Sequence, residues 1–182
     1  MIFEPDDIAR LQRITKRGKD HLQAPERQDW ARRCSSDLQE HVPWVWSERR
    51  QAWIQKTCMS AMVLTDAAGV EHRMVMASAR GVIPKEVMPY LKAWGATVVP
   101  KDGERKHAEI RGVDYVEEIG GTLHAIGAGL DVCDPCDDRV RSKGIRPSTL
   151  TQRDRAANRG TIAGLTPGYR TPDQGPKKGP RK

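Results

Sequence analysis

His107-Ala108-Glu109 and, after 23 intervening residues, Cys133-Asp134-Pro135-Cys136 constrain this chain more than any other feature. His107, Cys133 and Cys136 are zinc-ligand types, and three protein donors leave one coordination position open, the arrangement of a catalytic rather than a structural site. Glu109 is not a usual partner in a nitrogen–sulfur site, but two residues from the histidine it is placed to move protons. Cys133 and Cys136 stand at i and i+3, so on a helix they share one face. Pro135 between them is tolerated only where that helix is beginning. His107 and Glu109, at i and i+2, converge on one point only from a first turn, with Lys101-Asp102-Gly103 as the loop feeding it. Two helix starts must therefore meet, where free N–H groups and the helix dipole favour thiolates.

The stretch between the two halves fits that demand. Val113, Val116 and Ile119 give a helical stripe that Gly120-Gly121 ends. Leu123, Ala125 and the apolar run to Val132 suit a buried strand, with Gly127 and Gly129 as weak points or bulges. The cysteines open the next helix, giving helix, strand, helix. A lone Cys-x-x-Cys is otherwise a redox pair or half of a zinc ribbon. A ribbon needs a second pair, and Cys34 and Cys58 are too far apart to form one. They read as buried thiols on apolar helix positions.

In this order and spacing the chain resembles the zinc-dependent nucleobase deaminases, whose signature is His-x-Glu…Cys-x-x-Cys. It resembles in particular the deaminase domains at the C-termini of bacterial polymorphic toxins, several of which act on cytosine in nucleic acid. The resemblance spans about residues 60–143 and is concentrated around the motif. It implies an α/β chain with a three-layer α/β/α cytidine-deaminase-like fold and an N-terminal helical extension. The divisions expected are 1–58 for the extension, 59–160 for the deaminase domain and 161–182 for a basic Gly/Pro-rich, disordered tail. It makes Zn2+ the cofactor, His107, Cys133 and Cys136 its ligands, and Glu109 the catalytic proton shuttle. It also sets the base pocket against Ser78 and Ala79, at the end of a hairpin strand, and against Ala108 inside the motif. The implied reaction is hydrolysis of cytosine to uracil in DNA. Single strands are preferred, because a base inside a duplex cannot reach such a metal. The implied setting is the cytoplasm of a target bacterial cell, as a monomer with a cognate immunity protein as partner. Two features depart from the family pattern. Its proline usually precedes the first cysteine, and one or two further strands usually follow the cysteine helix, whereas residues 144–182 show no convincing strand. The alternatives are a deaminase of adenosine in RNA or of a free nucleoside or nucleotide, and a non-enzymatic zinc-stabilised nucleic-acid-binding module.

Charge bears on the substrate. The net charge is +7, but from residue 139 onward twelve Lys and Arg face only Asp154 and Asp173, so that part carries about +10 and the remainder about −3. A free nucleoside has little use for such a surface, whereas a polyanion is drawn to it. Arg139, Arg153, Arg155 and Arg159 are the candidate contacts to a nucleic-acid backbone. Residues 169–182 read as solvated tail. With 182 residues, 37% of them hydrophobic, the chain supports one modest core. No apolar stretch approaches a membrane span and the N-terminus carries no signal-peptide pattern.

The N-terminal third predicts helices over residues 6–17 and 25–42, the second with Trp30, Cys34, Leu38 and Val42 at i+4 steps, and a third from Ser47 to about 57. A hairpin follows, with apolar residues 59–64 and 74–79 joined over Asp66-Ala67-Ala68-Gly69. Pro84 can open a helix that Gly95 closes, with Pro89 in conflict inside it, and residues 96–99 suit a short strand. Trp44 and Trp46, near Arg49 and Arg50, could stack on an unpaired base or belong to the core. His124 reads as a satisfied core histidine.

Overall fold

A computed structural model describes residues 24–157 and 169–170; the helix expected over residues 6–17, Arg159 and nearly all of the tail fall outside them. Helix α1 (Ala24–Glu40) buries Trp30, Cys34 and Leu38 as their spacing predicts, together with Ala31, Ser35 and Gln39. It lies on a four-stranded sheet of β3 (Met59–Thr65), β4 (Glu71–Ala77), β5 (Thr97–Val98) and β6 (Thr122–Ala128), in the order β5-β4-β3-β6. The two edge pairings differ: β3 is antiparallel to both β4 and β6, and β5 runs parallel to β4.

Strand alternation splits the core in two. Met59, Ala61, Val63, Val75 and Ala77 face α1 and the segment around α2 (Met88–Ala93), where Val87, Leu91 and Trp94 are buried. Met62, Leu64, Met74 and Met76 face α3 (Ala108–Glu118), through Val113 and Val116, and α4 (Asp134–Arg141), through Val140. Helices therefore cover both faces of the sheet, a mixed α/β architecture in which α1 shares the core with residues after 59. Among the described residues no helix is long and apolar enough to cross a membrane.

Several expectations shift. Gly127 in β6 and Gly129 just after it are contact points rather than bulges. A Cβ at Gly127 would stand 2.8 Å from the Ala31 carbonyl oxygen, and one at Gly129 would stand 2.2 Å from Gln39 Cβ. They let the α1 backbone lie directly on the strand. The irregularity sits at His124, the residue skipped where Val63 pairs with Ala125 and Leu64 with Leu123. The histidine is satisfied, its Nε2 3.0 Å from Thr65 Oγ1. Pro89 causes no conflict, because α2 starts at Met88 and the proline falls in a first turn that needs no donor.

The helix expected from Ser47 is instead a hairpin, β1 (Trp44–Ser47) against β2 (Ala52–Gln55), with β7 (Tyr169–Arg170) on its other side. Ser47 does cap a turn, but of the hairpin: its carbonyl and hydroxyl oxygens both accept from Arg50 N–H. Trp-Val-Trp and Ala-Trp-Ile alternate with a period of two, and aromatic and β-branched residues pair well across strands. Trp46 and Trp53 meet edge to face at 5.8 Å. Beyond α4 no strand extends the large sheet among the described residues. The outer edge of β6 is covered by a loop, in which Ser148 N–H donates to the Ile126 carbonyl and Thr149 Oγ1 accepts from Ala128 N–H. Helix α5 (Gln152–Ala157) then begins at Thr151, which exchanges hydrogen bonds with Asp154.

Candidate metal centre

The sheet places the start of β3, the end of β4 and the end of β6 at one edge, since β3 runs antiparallel to both neighbours. Helices α3 and α4 begin at that edge. His107 is the N-cap of α3 and Cys133 the N-cap of α4, both in extended conformation. Pro135 lies in the first turn of α4, and Cys136 is buried one residue later. The two helix starts meet as the spacing requires. Cys133 Sγ and Cys136 Sγ are 3.0 Å apart, and each lies 3.2 Å from His107 Nδ1.

These three donors form a candidate metal site. A tetrahedral zinc with bonds of about 2.0–2.3 Å spans ligand edges of roughly 3.5–3.8 Å. The triangle therefore needs to open by only about 0.3 Å on the histidine edges and about 0.8 Å between the two sulfurs. The donor chemistry suits the same ion, two thiols and an imidazole rather than oxygen donors.

Glu109, in the first turn of α3, is 4% exposed and lines the cleft beside the donors. Burial pushes its carboxyl pKa up, partly opposed by its own backbone N–H, by His107 and by Cys136. Burial also raises the Cys136 thiol, reinforced by Glu109 and Cys133. A bound cation would reverse that preference, because metal ligation requires the thiolate.

Cys58 was missed by sequence reasoning. It stands just before β3 rather than on a helix, lines the cleft, and packs with Cys133 and Cys136. Burial, then Glu109, raises its thiol pKa. The available signal was its position at the mouth of the apolar run from Met59, which marks a strand start at the site's edge of the sheet.

The cleft has a volume of about 630 Å³, and Ser78 and Ala79 line it. Ser78 binds the β3 entrance, its Oγ accepting from Cys58 N–H at 2.8 Å. Ala79 adopts φ +58, a left-handed conformation that costs a non-glycine residue free energy. It is held there by bonds to its carbonyl from Lys106 N–H and Arg111 Nη2. Arg111 is 2% exposed and also donates to the Ala77 and Glu104 carbonyls and to the Asp102 carboxylate. One buried guanidinium thus ties the end of β4 to the loop before α3. Ala108 is fully buried in the core and does not line the cleft. Trp44 and Trp46 lie half-buried on β1 and are not among its lining residues.

The basic stretch after the cysteines is largely committed to carboxylates. Arg139 binds Asp114 at 3.2 Å and Glu117 at 2.5 Å. Arg153 grips Asp138 with two bonds, 2.6 and 3.0 Å, and reaches the buried Asp137 at 3.1 Å. Arg155 pairs with Asp131, two residues before Cys133. These ion pairs brace α4 and its approach.

Comparison with protein-family models, with curated proteins and with solved structures finds no match for the chain.

Proposed function

We propose that this chain is a zinc-dependent deaminase that hydrolyses cytosine to uracil in DNA, single strands preferred, as a toxin-type domain of the cytidine-deaminase-like fold. The observation that carries the reading is the convergence of His107, Cys133 and Cys136 from two helix starts, with the buried Glu109 carboxyl beside them in one cleft. A purely structural zinc site gains nothing from a buried carboxylate at that position, whereas a hydrolytic one needs a proton carrier. Helix, strand and helix arranged on an antiparallel β3 support the same reading. So does the open cleft, which admits a base released from stacking.

Zinc held by His107, Cys133 and Cys136 would supply Lewis acidity, lowering the pKa of a water molecule in the cleft towards about 7. Glu109 does the proton work. Its carboxylate takes a proton from the attacking water as the new bond forms at C4, and passes it to the ring nitrogen. The emptied carboxylate then takes the hydroxyl proton of the tetrahedral C4 adduct and delivers it to the departing amine as the C4–N bond breaks and the C4 carbonyl forms, so that cytosine and water become uracil and ammonia. Arg111 acts on the walls, holding the Ser78-Ala79 backbone where a base would lie.

The test is direct. The zinc-loaded protein is incubated with single- and double-stranded DNA and RNA oligonucleotides, and C-to-U changes are mapped. Uracil appearing fastest in single-stranded DNA is expected. Inosine, or turnover of free cytidine alone, moves the assignment to the corresponding deaminase. Tight zinc with no base change in any substrate overturns the enzymatic reading.

A further inference from the structure

The charged residues lining the cleft divide by whether their charge is already spent. Lys106 is held by three carboxylates, Asp102 at 3.2 Å, Glu104 at 3.0 Å and Asp114 at 2.9 Å. Asp131 is occupied by Arg155. Glu109 is buried at the floor. Three cations remain, Arg50, Lys56 and Arg105, all exposed at the same cleft. Arg50 lies in the β1–β2 turn, Lys56 just after β2, and Arg105 in the loop before α3. Among the described residues none of the three side chains has a carboxylate partner.

Three uncompensated cations from two chain segments around one opening produce a positive rim over a carboxylate floor. A cleft with low-dielectric walls focuses such a field and concentrates anions at its mouth. The rim also exceeds what one phosphate group needs, since a monophosphate ester carries only about −1.5 to −2. Several phosphates in succession match it better.

We propose that Arg50, Lys56 and Arg105 form the phosphate-recognition site of this cleft, gripping the phosphodiester backbone of a nucleic-acid strand on either side of the base presented to Glu109. The proposal rests on the cleft being the site of base chemistry as proposed above. It moves the backbone contacts from the carboxylate-bound arginines after the cysteines to the β1–β2 hairpin and the loop before α3. Sequence position concealed it, because the three residues belong to the part of the chain with a net charge of about −3.

The test is binding, read separately from turnover. Full-length, zinc-loaded protein carrying Glu109→Gln is titrated into a fluorescent single-stranded DNA oligonucleotide containing one cytosine, over a range of salt. Each backbone contact contributes about −0.7 to the slope of log affinity against log salt. Adding Arg50→Ala, Lys56→Ala and Arg105→Ala together is expected to weaken binding by about tenfold or more and to flatten the slope by about 2. The three side chains are exposed, so the melting temperature is expected to hold. Arg50→Lys with Arg105→Lys is expected to keep most of the slope. Lys85→Ala with Lys92→Ala, which removes exposed charge away from the cleft, is expected to change neither quantity. Affinity within about twofold and an unchanged slope in the triple variant overturn the proposal, as does an equal loss in the Lys85/Lys92 control. If cytidine monophosphate binding falls while oligonucleotide binding stays, the rim takes a free nucleotide and the strand is excluded. The two readings fail separately. Rim-dependent binding by a protein that deaminates nothing sinks the deaminase and leaves the site. Deamination with rim-independent binding does the reverse.

Discussion

The floor and the rim of the cleft are built by opposite means. At the floor, His107, Glu109, Cys133 and Cys136 are placed by the first turns of two helices, each within a few residues of a cap. At the rim, Arg50, Lys56 and Arg105 come from a hairpin turn, a strand exit and a loop. What distinguishes them is that among the described residues none of them is ion-paired to a carboxylate, rather than any motif. Arg139, Arg153 and Arg155 make the contrast sharper, for they crowd the sequence beside the cysteines yet are already paired. A cation's availability to a ligand depends on its unspent charge, and proximity in sequence does not report that.

Variants can break this division, starting with the largest effect. Cys133→Ser removes one of three donors, and the protein is expected to lose its metal, its activity and a measurable part of its thermal stability, because bound zinc contributes to folding. Zinc content near one per chain in that variant would remove His107, Cys133 and Cys136 from the metal site. Glu109→Gln comes next. It keeps volume in a position that is 4% exposed, so zinc content and melting temperature should match the parent while single-turnover deamination falls by on the order of 10²–10⁴-fold. Activity within about tenfold of the parent would place the proton carrier elsewhere. Rim substitutions should act on the other quantity, raising KM for oligonucleotides far more than they lower kcat.

The paired cations should do neither. Arg153→Ala leaves Asp138 without its two-bond partner and Asp137 with Arg141 alone. Because Arg153 is about half exposed, solvent screens the pair and the loss of stability should be small, a melting-temperature shift of a few degrees at most, on the order expected for a surface ion pair, checked by thermal denaturation. Oligonucleotide affinity should change by less than about twofold. A large affinity loss without a stability loss would make Arg153 a backbone contact after all.

The smallest effect is in acid. Arg111 beside Asp102 lowers that carboxyl from its usual 3.8 to about 2. A folded-state pKa below the unfolded one contributes stability that is fully present above about pH 4 and disappears as the pH falls towards 2. Asp102→Asn should therefore be less stable than the parent at neutral pH, with the gap closing across that window in acid titrations followed by circular dichroism. A gap independent of pH down to 2 would show that the Asp102–Arg111 pair does not hold the loop.

Legibility followed the range of the interaction. The α1 stripe, the β3–β4 hairpin and the succession of α3, β6 and α4 were readable, since periodicity and turn residues act within a few positions. Ser47 misled because a serine that caps a helix also closes a hairpin turn, and the choice fell to Trp44, Trp46, Trp53 and Ile54 pairing across strands. Gly127 and Gly129 looked like breaks in a strand. Their reason is the α1 backbone pressed against them from about a hundred residues away.

By itself the sequence determined the donor set and its chemistry. A histidine at one helix cap, cysteines at i and i+3 behind a proline-bearing first turn, and a carboxylate two residues from the histidine leave few other geometries. The tertiary structure alone decided the surroundings: Cys58 at the cleft, Arg111 stapling its walls, and which cations remain unspent. The physical reason is that hydrogen bonds and ion pairs are set by distance in space. Arg155 with Asp131, Lys106 with Asp114 and Arg111 with Asp102 become partners only once the helices have docked on the sheet.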